Sequence, residues 1–318
     1  MSTLFYKTVK DVPKEEYFAP GHGLCQGCPE GILVRWVTKV AGKDCIIVTP
    51  TGCLEVSTSI FPDTAWRVPW VHIAFENAGA VASGVEAALK SLKKKGVISQ
   101  DRKIHVIVIG GDGGTTDIGF QSLSGMLERG HDVVYICQDN EAYMNTGIQR
   151  SGSTPFGAWA TTSPVGKILK GKIQQKKDMV AIAAAHRIPY VASAVISPYW
   201  RDLFNKVKRA IDVEGPAYIH VLSPCPTGWR YDPSLTIRVG ELAVQTGMWV
   251  LYEVYNGKMA VTVRVPKRKK VEEYLKIQGR FAHLTEDMIE KIQNQVNEYV
   301  AEINKMVGEE VIGPIQES

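Results

Sequence analysis

The stretch GLCQGCPEG, Gly23 to Gly31, sets Cys25 and Cys28 three positions apart in a glycine-rich loop broken by Pro29. Thiols at that spacing suit a zinc knuckle, a redox dithiol or half of an iron–sulfur site, because each needs two thiolates brought together by a tight turn. Zinc would ask for a second pair at similar spacing or two histidines, and a redox dithiol for a place just before a helix in a thioredoxin-like βαβ unit. Neither follows. The other cysteines are Cys45, Cys53, Cys137 and Cys225.

A second group of residues lies in GGDGGTTDIGFQSLSGMLERGHDVVYICQDNEAYMNTG, Gly110 to Gly147. An apolar run ends at Ile109. Gly110, Gly111, Gly113 and Gly114 then allow the backbone to come close to a ligand and offer it N–H groups, as phosphate loops do. Asp112 among them is a hard oxygen ligand, and Asn140 stands 28 positions later, after a second apolar run. If the two runs are neighbouring strands, Asp112 and Asn140 sit side by side. Two oxygen side chains and a free carbonyl make half an octahedron, which magnesium would complete with diphosphate oxygens and water.

The elements that must hold these residues alternate. Cys45–Pro50, Lys103–Gly111, Asp132–Asn140, Pro189–Ile196 and Ala217–Cys225 read as strands, several apolar at nearly every position, as strands buried on both faces are. Asn77–Lys95, Ile118–Gly130, Asp178–Arg187 and Tyr199–Asp212 read as helices between them. That order predicts an α/β fold with a doubly wound, mostly parallel sheet and a ligand site at the carboxyl ends of its strands. The pattern changes after about Pro233. Residues 1–235 are expected to form the cofactor domain, and 236–318 a C-terminal extension packed on that core or on a partner. The extension holds a charged segment and a final helix from N-cap Thr285 to Gly308, with an apolar stripe of Met288, Ile289, Ile292, Val296, Tyr299, Val300 and Ile303. The long loop from Asn145 to about Lys167 suggests a functional role.

Composition narrows the class. The chain is 45% hydrophobic and 22% charged over 318 residues, ordinary for a soluble globular protein. It has no signal-peptide h-region and no apolar run of membrane-spanning length, so a cytoplasmic protein without a membrane anchor is expected. In that compartment the cysteines are metal ligands, core residues or reactive thiols rather than disulfides. A net charge of +4 argues no nucleic-acid role. The basic runs at Lys90–Gly96, Lys167–Lys177 and Val265–Lys276 read as solvated faces or subunit contacts, since only Tyr274 is interleaved with them.

Over most of its length the sequence resembles the β subunit of the 2-oxoacid:ferredoxin oxidoreductases, especially the pyruvate and 2-oxoisovalerate type. GHGLCQGCPEG, TPTGCLEV, WRVPWVHIAFENAGAVASGVEAA, the GDG segment, DNEAYMNTGIQRSGSTPFGAW, LSPCPTGW and VEEYLKIQGRFAHL carry the likeness. G-D-G alone is a weak pattern, and its context, closing one strand and followed by a second that ends in D-N, gives it weight. The resemblance implies a four-iron cluster (4Fe–4S) on Cys25, Cys28, Cys53 and Cys225. It implies magnesium on Asp112, Asn140 and the carbonyl of Ala142. Thiamine diphosphate would touch Glu30, Cys53, Gly111 to Gly114, and Asn140, Glu141, Ala142, Tyr143, Met144 and Asn145, with Glu30 and Asn145 nearest the chemistry. The implied reaction is oxidative decarboxylation of a 2-oxo acid, usually with coenzyme A, and electrons leaving through the cluster to ferredoxin. Only the diphosphate half of a thiamine site is present, so an α subunit with a pyrimidine-binding domain is implied, together with γ and ferredoxin-like δ subunits or fusions of them.

Pro29 stands where the family usually has glycine and stiffens the loop beside the cluster, and Leu24 and Gln26 also depart from the commonest relatives. Cys45 and Cys137, inside apolar runs, are expected in the core. His22 is expected beside the cluster loop, Arg67 and His72 at a subunit contact, and Glu76 and Asn77 at a helix start. Other readings are another small 2-oxo acid or oxalate without coenzyme A, a metal-bearing subunit that has lost catalysis, and a non-redox thiamine decarboxylase. Asp112 and Asn140 speak against lost catalysis, and four cysteines against the decarboxylase.

Overall fold

The computed structural model describes residues 4–316. Eight strands form one sheet in the order β2-β1-β3-β4-β6-β5-β7-β8. They are β1 (Cys45–Pro50), β2 (Trp70–Ile73), β3 (His105–Gly111), β4 (Val133–Asp139), β5 (Tyr190–Val195), β6 (Ala217–Leu222), β7 (Tyr252–Tyr255) and β8 (Lys258–Val261). The first six are parallel, and β7 and β8 run antiparallel at the edge. The helices are α1 (Glu30–Ala41), α2 (Cys53–Thr58), α3 (Ala78–Lys94), α4 (Phe120–Glu128), α5 (Met179–Ala185), α6 (Trp200–Asp212), α7 (Pro226–Trp229), α8 (Thr236–Gln245), α9 (Val271–Lys276) and α10 (Glu286–Val307).

Strand alternation feeds two cores. Val106 and Val108 of β3 face α3, α4 and α5, while Ile107 and Ile109 face α1 and α6. Both faces of the sheet are therefore covered, which is why its strands are apolar without interruption. Cys45 and Cys137 lie in these cores, 1% and 0% exposed.

The chain after residue 235 does more than pack outside. β7 and β8 extend the sheet beside β5, and Ile292, Val296, Val300 and Ile303 of α10 join the same apolar cluster as α3 and α4. The charged segment thus contains a hairpin that the expected helix alone leaves out. Its turn is Asn256–Gly257, with φ of 47° and 78°, the left-handed pair that a tight hairpin needs. One basic run also differs from expectation: Lys172 and Lys176 point inward, not onto a solvated face.

Candidate active site

Four parallel strands, β1, β3, β4 and β6, are successive neighbours, and the chain leaving each carboxyl end supplies a candidate residue: Cys53, Asp112, Asn140 and Cys225. The register Gly111↔Gln138 places Asp112 and Asn140 together beyond the ends of β3 and β4. The side-chain oxygen of Asn140 faces Asp112 Oδ1 at 3.1 Å and the carbonyl oxygen of Ala142 at 2.9 Å. Reversing the amide would let it donate to both, but would turn its oxygen toward Glu30, whose Oε1 accepts from Asn140 Nδ2 at 3.4 Å. With its amide oxygen turned to Asp112 and Ala142, Asn140 completes three oxygens that suit a divalent cation such as magnesium.

Local backbone makes this possible. Glu141 adopts φ of 65°, so the chain folds back between Asn140 and Ala142. Trp229 Nε1–H donates to the Asn140 carbonyl at 2.8 Å. Asp112, 1% exposed, accepts from Ser151 Oγ at 2.5 Å, and burial together with nearby Asp139 pushes its carboxyl well above the usual range. A bound cation would reverse that shift. Asp139 behaves oppositely. Burial opposes its charge, yet Lys176 Nζ at 2.5 Å and His220 Nε2 at 2.7 Å hold it ionised, and its Oδ1 accepts the Glu141 N–H at 2.8 Å.

The glycines open a cradle. Gly113–Asp117 forms a π-helical turn. A Cβ on Gly111 would meet nothing within 4 Å, whereas one on Gly113 would lie 2.7 Å from the Tyr143 ring. Gly113 is thus required for packing, and Gly111 borders open space. Buried around the turn, Thr116 Oγ1, Ser153 Oγ, Gln138 Oε1 and Glu30 Oε2 have no hydrogen-bond partner. The hydroxyls of Thr116 and Ser153 can donate to an anionic ligand such as a diphosphate ester, whereas Gln138 Oε1 and Glu30 Oε2 would need a donor. Glu30, first residue of α1, is pushed up to about 7 by burial, eased by Asn140.

Three of the four thiols, Cys28, Cys53 and Cys225, stand at helix starts near N–H groups. Cys28 follows a turn in which its N–H donates to Cys25 O at 3.0 Å, and its sulfur accepts the Glu30 N–H at the start of α1. Cys53 opens α2 and accepts from the Asn145 side chain. Cys225 caps α7 and accepts the Gly228 N–H at 3.4 Å as well as that of Thr227. Thr236 Oγ1 ties the cysteine loop down by donating to Gly27 O at 2.7 Å. Cys53 and Cys225 follow β1 and β6 at the carboxyl edge of the sheet, and Cys25 and Cys28 stand on the loop that Thr236 ties down just past α7. Burial pushes Cys225 up to about 11, and burial with the Glu30 charge pushes Cys28 and Cys53 higher still. Cys25 is exposed, and no two of the six cysteines are bonded. Among the described residues no three His, Cys, Asp or Glu side chains converge as ligands of a single ion. A cubane does not require that, because each thiolate binds a different iron; the donor set fits one.

Of the remaining expected residues, Met144 packs under α7, where a Cβ on Gly228 would meet its Sδ at 2.1 Å. His22 stacks on Phe18 at 5.2 Å, with Nδ1 buried and unpartnered. Arg67 and His72 are exposed, and His72 Nδ1 lies 2.6 Å from Glu55 Oε1. Asn77 caps α3. The sequence reading missed Asp139, Ser151, Lys176, His220, Trp229 and Arg280, which form the support beneath the site. A signal existed for His220, a histidine in the otherwise apolar and aromatic strand AYIHVL.

Residues 50–221 match the thiamine pyrophosphate enzyme, C-terminal TPP binding domain. The fold and this match make the chain the diphosphate-binding part of a thiamine diphosphate enzyme. It is 59% identical over 290 residues to pyruvate synthase subunit PorB of Methanocaldococcus jannaschii, covering 91% of this chain and 97% of that one. It is 46% identical over 304 residues to ketoisovalerate oxidoreductase subunit VorB of Pyrococcus furiosus, covering 95% and 96%. A solved 2-oxoglutarate:ferredoxin oxidoreductase from Magnetococcus marinus shares the fold, with a TM-score of 0.55 at 22% identity over 76% of this chain and 84% of that one. The chain belongs to the β subunits of the 2-oxoacid:ferredoxin oxidoreductases, and is one subunit of a hetero-oligomeric enzyme. No helix among the described residues is long and apolar enough to cross a membrane.

Proposed function

We propose that this subunit binds thiamine diphosphate through magnesium and passes electrons from a 2-oxo acid to ferredoxin through a four-iron cluster. The substrate would be pyruvate, or a close branched homologue, with coenzyme A as acyl acceptor. The observation that carries the reading is the meeting of three hard oxygens, of Asp112, Asn140 and Ala142, at the sheet edge from which the chain also leaves β1 and β6 for Cys53 and Cys225.

When bound, thiamine diphosphate supplies the carbanion that attacks the keto carbon and stores the electrons of the departing carboxylate. The chain's own residues do the rest. Asp112, Asn140 and the Ala142 carbonyl would hold magnesium against the diphosphate, with Ser151 orienting Asp112. The π-helical turn and the hydroxyls of Thr116 and Ser153 would meet the phosphate oxygens. Tyr143 and Met144 would wall the ring, and Asn145, donating to Cys53, would stand between ring and cluster. N–H groups aimed at Cys28 and Cys225 stabilise thiolates and tune the cluster potential. Because only the diphosphate half is here, an α subunit with a pyrimidine-binding domain is proposed to complete the pocket, with γ and ferredoxin-like δ subunits, separate or fused, carrying electrons onward.

Relatives named for pyruvate at up to 59% identity support pyruvate, while the pyruvate and ketoisovalerate subunits of Pyrococcus furiosus match this chain equally, at 46%. The test is anaerobic co-purification with the neighbouring subunits, then viologen reduction with pyruvate, 2-oxoisovalerate, 2-oxoglutarate and oxalate, with and without coenzyme A. Coenzyme A-dependent reduction fastest with pyruvate supports the reading. Reduction by oxalate alone, or none with any 2-oxo acid, contradicts it.

A further inference from the structure

Arg280 lies in the segment VEEYLKIQGRFAHL, far along the chain from the GDG segment and the cysteines, and packs between them in space. Its side chain is 3% exposed and held on three sides. Nη2 donates to Glu141 Oε2 at 2.5 Å, Nε donates to Gln278 Oε1 at 2.9 Å, and the guanidinium stacks 3.7 Å from the centre of the Trp229 ring. Gln278 is fixed in turn by donating to Tyr274 O at 2.7 Å. Gly279 brings this corner against the end of α7: its N–H donates to Arg230 O at 3.0 Å, and a Cβ would lie 2.8 Å from the Arg230 Cβ.

The two main partners belong to different halves of the site. Glu141 is the left-handed residue between Asn140 and Ala142. Trp229 ends α7, the helix that Cys225 caps, and its own N–H returns to the Asn140 carbonyl. We infer that Arg280 is a positioning residue that locks the cation-binding loop to the cluster-bearing helix α7, so that cofactor and cluster keep one fixed spacing. The inference rests on the reading of both sites given above. Arginine suits the task because its planar fork pairs with a carboxylate while its face stacks on an indole, and lysine, a point charge, cannot do both.

The test uses the enzyme purified anaerobically with its partner subunits, as wild type, Arg280→Lys, Trp229→Phe and Glu141→Gln. Two quantities are read: the magnesium-dependent Kd for thiamine diphosphate, and the electron paramagnetic resonance spectrum of the reduced cluster. Outer partners of a metal site typically tune affinity 10- to 100-fold, so each variant is expected to weaken cofactor binding by about 10-fold or more. The cluster spectrum should shift in the same variants, because the N–H donors to Cys225 move with α7. Lower thermal stability with both readouts unmoved overturns the inference, as does movement of only one. If the Arg280→Lys chain does not fold, Glu141→Gln breaks the same contact from the other side and must give the paired change. Wild-type enzyme without a cluster signal overturns the underlying reading and this inference with it, an outcome separate from the others.

Discussion

Asp112 carries a charge that it cannot keep alone. It is 1% exposed, close to Asp139, and the one described hydroxyl on its carboxylate, that of Ser151, does not offset the cost of burial. A divalent cation would. Asp112→Asn should therefore weaken magnesium-dependent thiamine diphosphate binding by about 100-fold or more, beyond the effect of an outer partner, while bound iron stays unchanged. Calorimetric titration beside an iron assay checks this; equal cofactor affinity in the variant would remove Asp112 from the cation site. Lys172 offers a test by pH. Burial, with Arg150 and Lys176 nearby, lowers its ammonium to about 8, and it donates to the carbonyls of Gly152, Thr154 and Gln175 in the loop that bears Ser151. Between pH 8 and the ordinary lysine range the unfolded chain holds the extra proton, so this group makes stability rise with pH across that window. Lys172→Met should lack that rise in denaturant midpoints measured from pH 8 to 10. A wild-type curve no steeper than the variant's contradicts it.

Helix starts do much of the site's local work. Cys28, Cys53 and Cys225 stand at the N-termini of α1, α2 and α7, where N–H groups lack intrahelical partners. The π-helical turn after β3 serves the oxygen side in the same manner. Gly113→Ala would drive a methyl into the Tyr143 ring and displace the wall of the cradle. Its expected result is a loss of cofactor affinity larger than any loss of stability. Gly79→Ala, 2.4 Å from Ser122 O where α3 crosses α4, should do the reverse, costing about 1–3 kcal/mol in thermal unfolding with cofactor Kd unchanged in the folded fraction. Elements buried on both faces were legible in sequence for a plain reason: β1, β3, β4, β5 and β6 are apolar at almost every position. β2 was hidden because WVHI is a half-exposed edge strand carrying a histidine. The β7–β8 hairpin was legible from Asn256–Gly257 between alternating apolar residues, but the surrounding charge drew the reading toward irregular chain. The motif positions Asp112, Asn140 and the cysteines could be read locally. Their supports could not, because Lys176, His220, Trp229 and Arg280 gain meaning only when distant segments meet.

Taken whole, the chain is a platform whose functional edge is built from widely separated loops after β1, β3, β4 and β6, and pinned from behind by its own C-terminal third through Arg280. That arrangement explains why an extension lacking any expected site residue is nonetheless tied into the core. It also places the candidate residues at the carboxyl edge of the parallel strands. The central claim is that soft and hard donor sets serve one electron path at this edge. The most direct measurement is iron per β chain in the anaerobically purified complex, before and after Cys53→Ser. Loss of up to about four irons per β chain, with the partner subunits' iron retained, is the predicted result. An unchanged iron content, or zinc in place of iron, would contradict it.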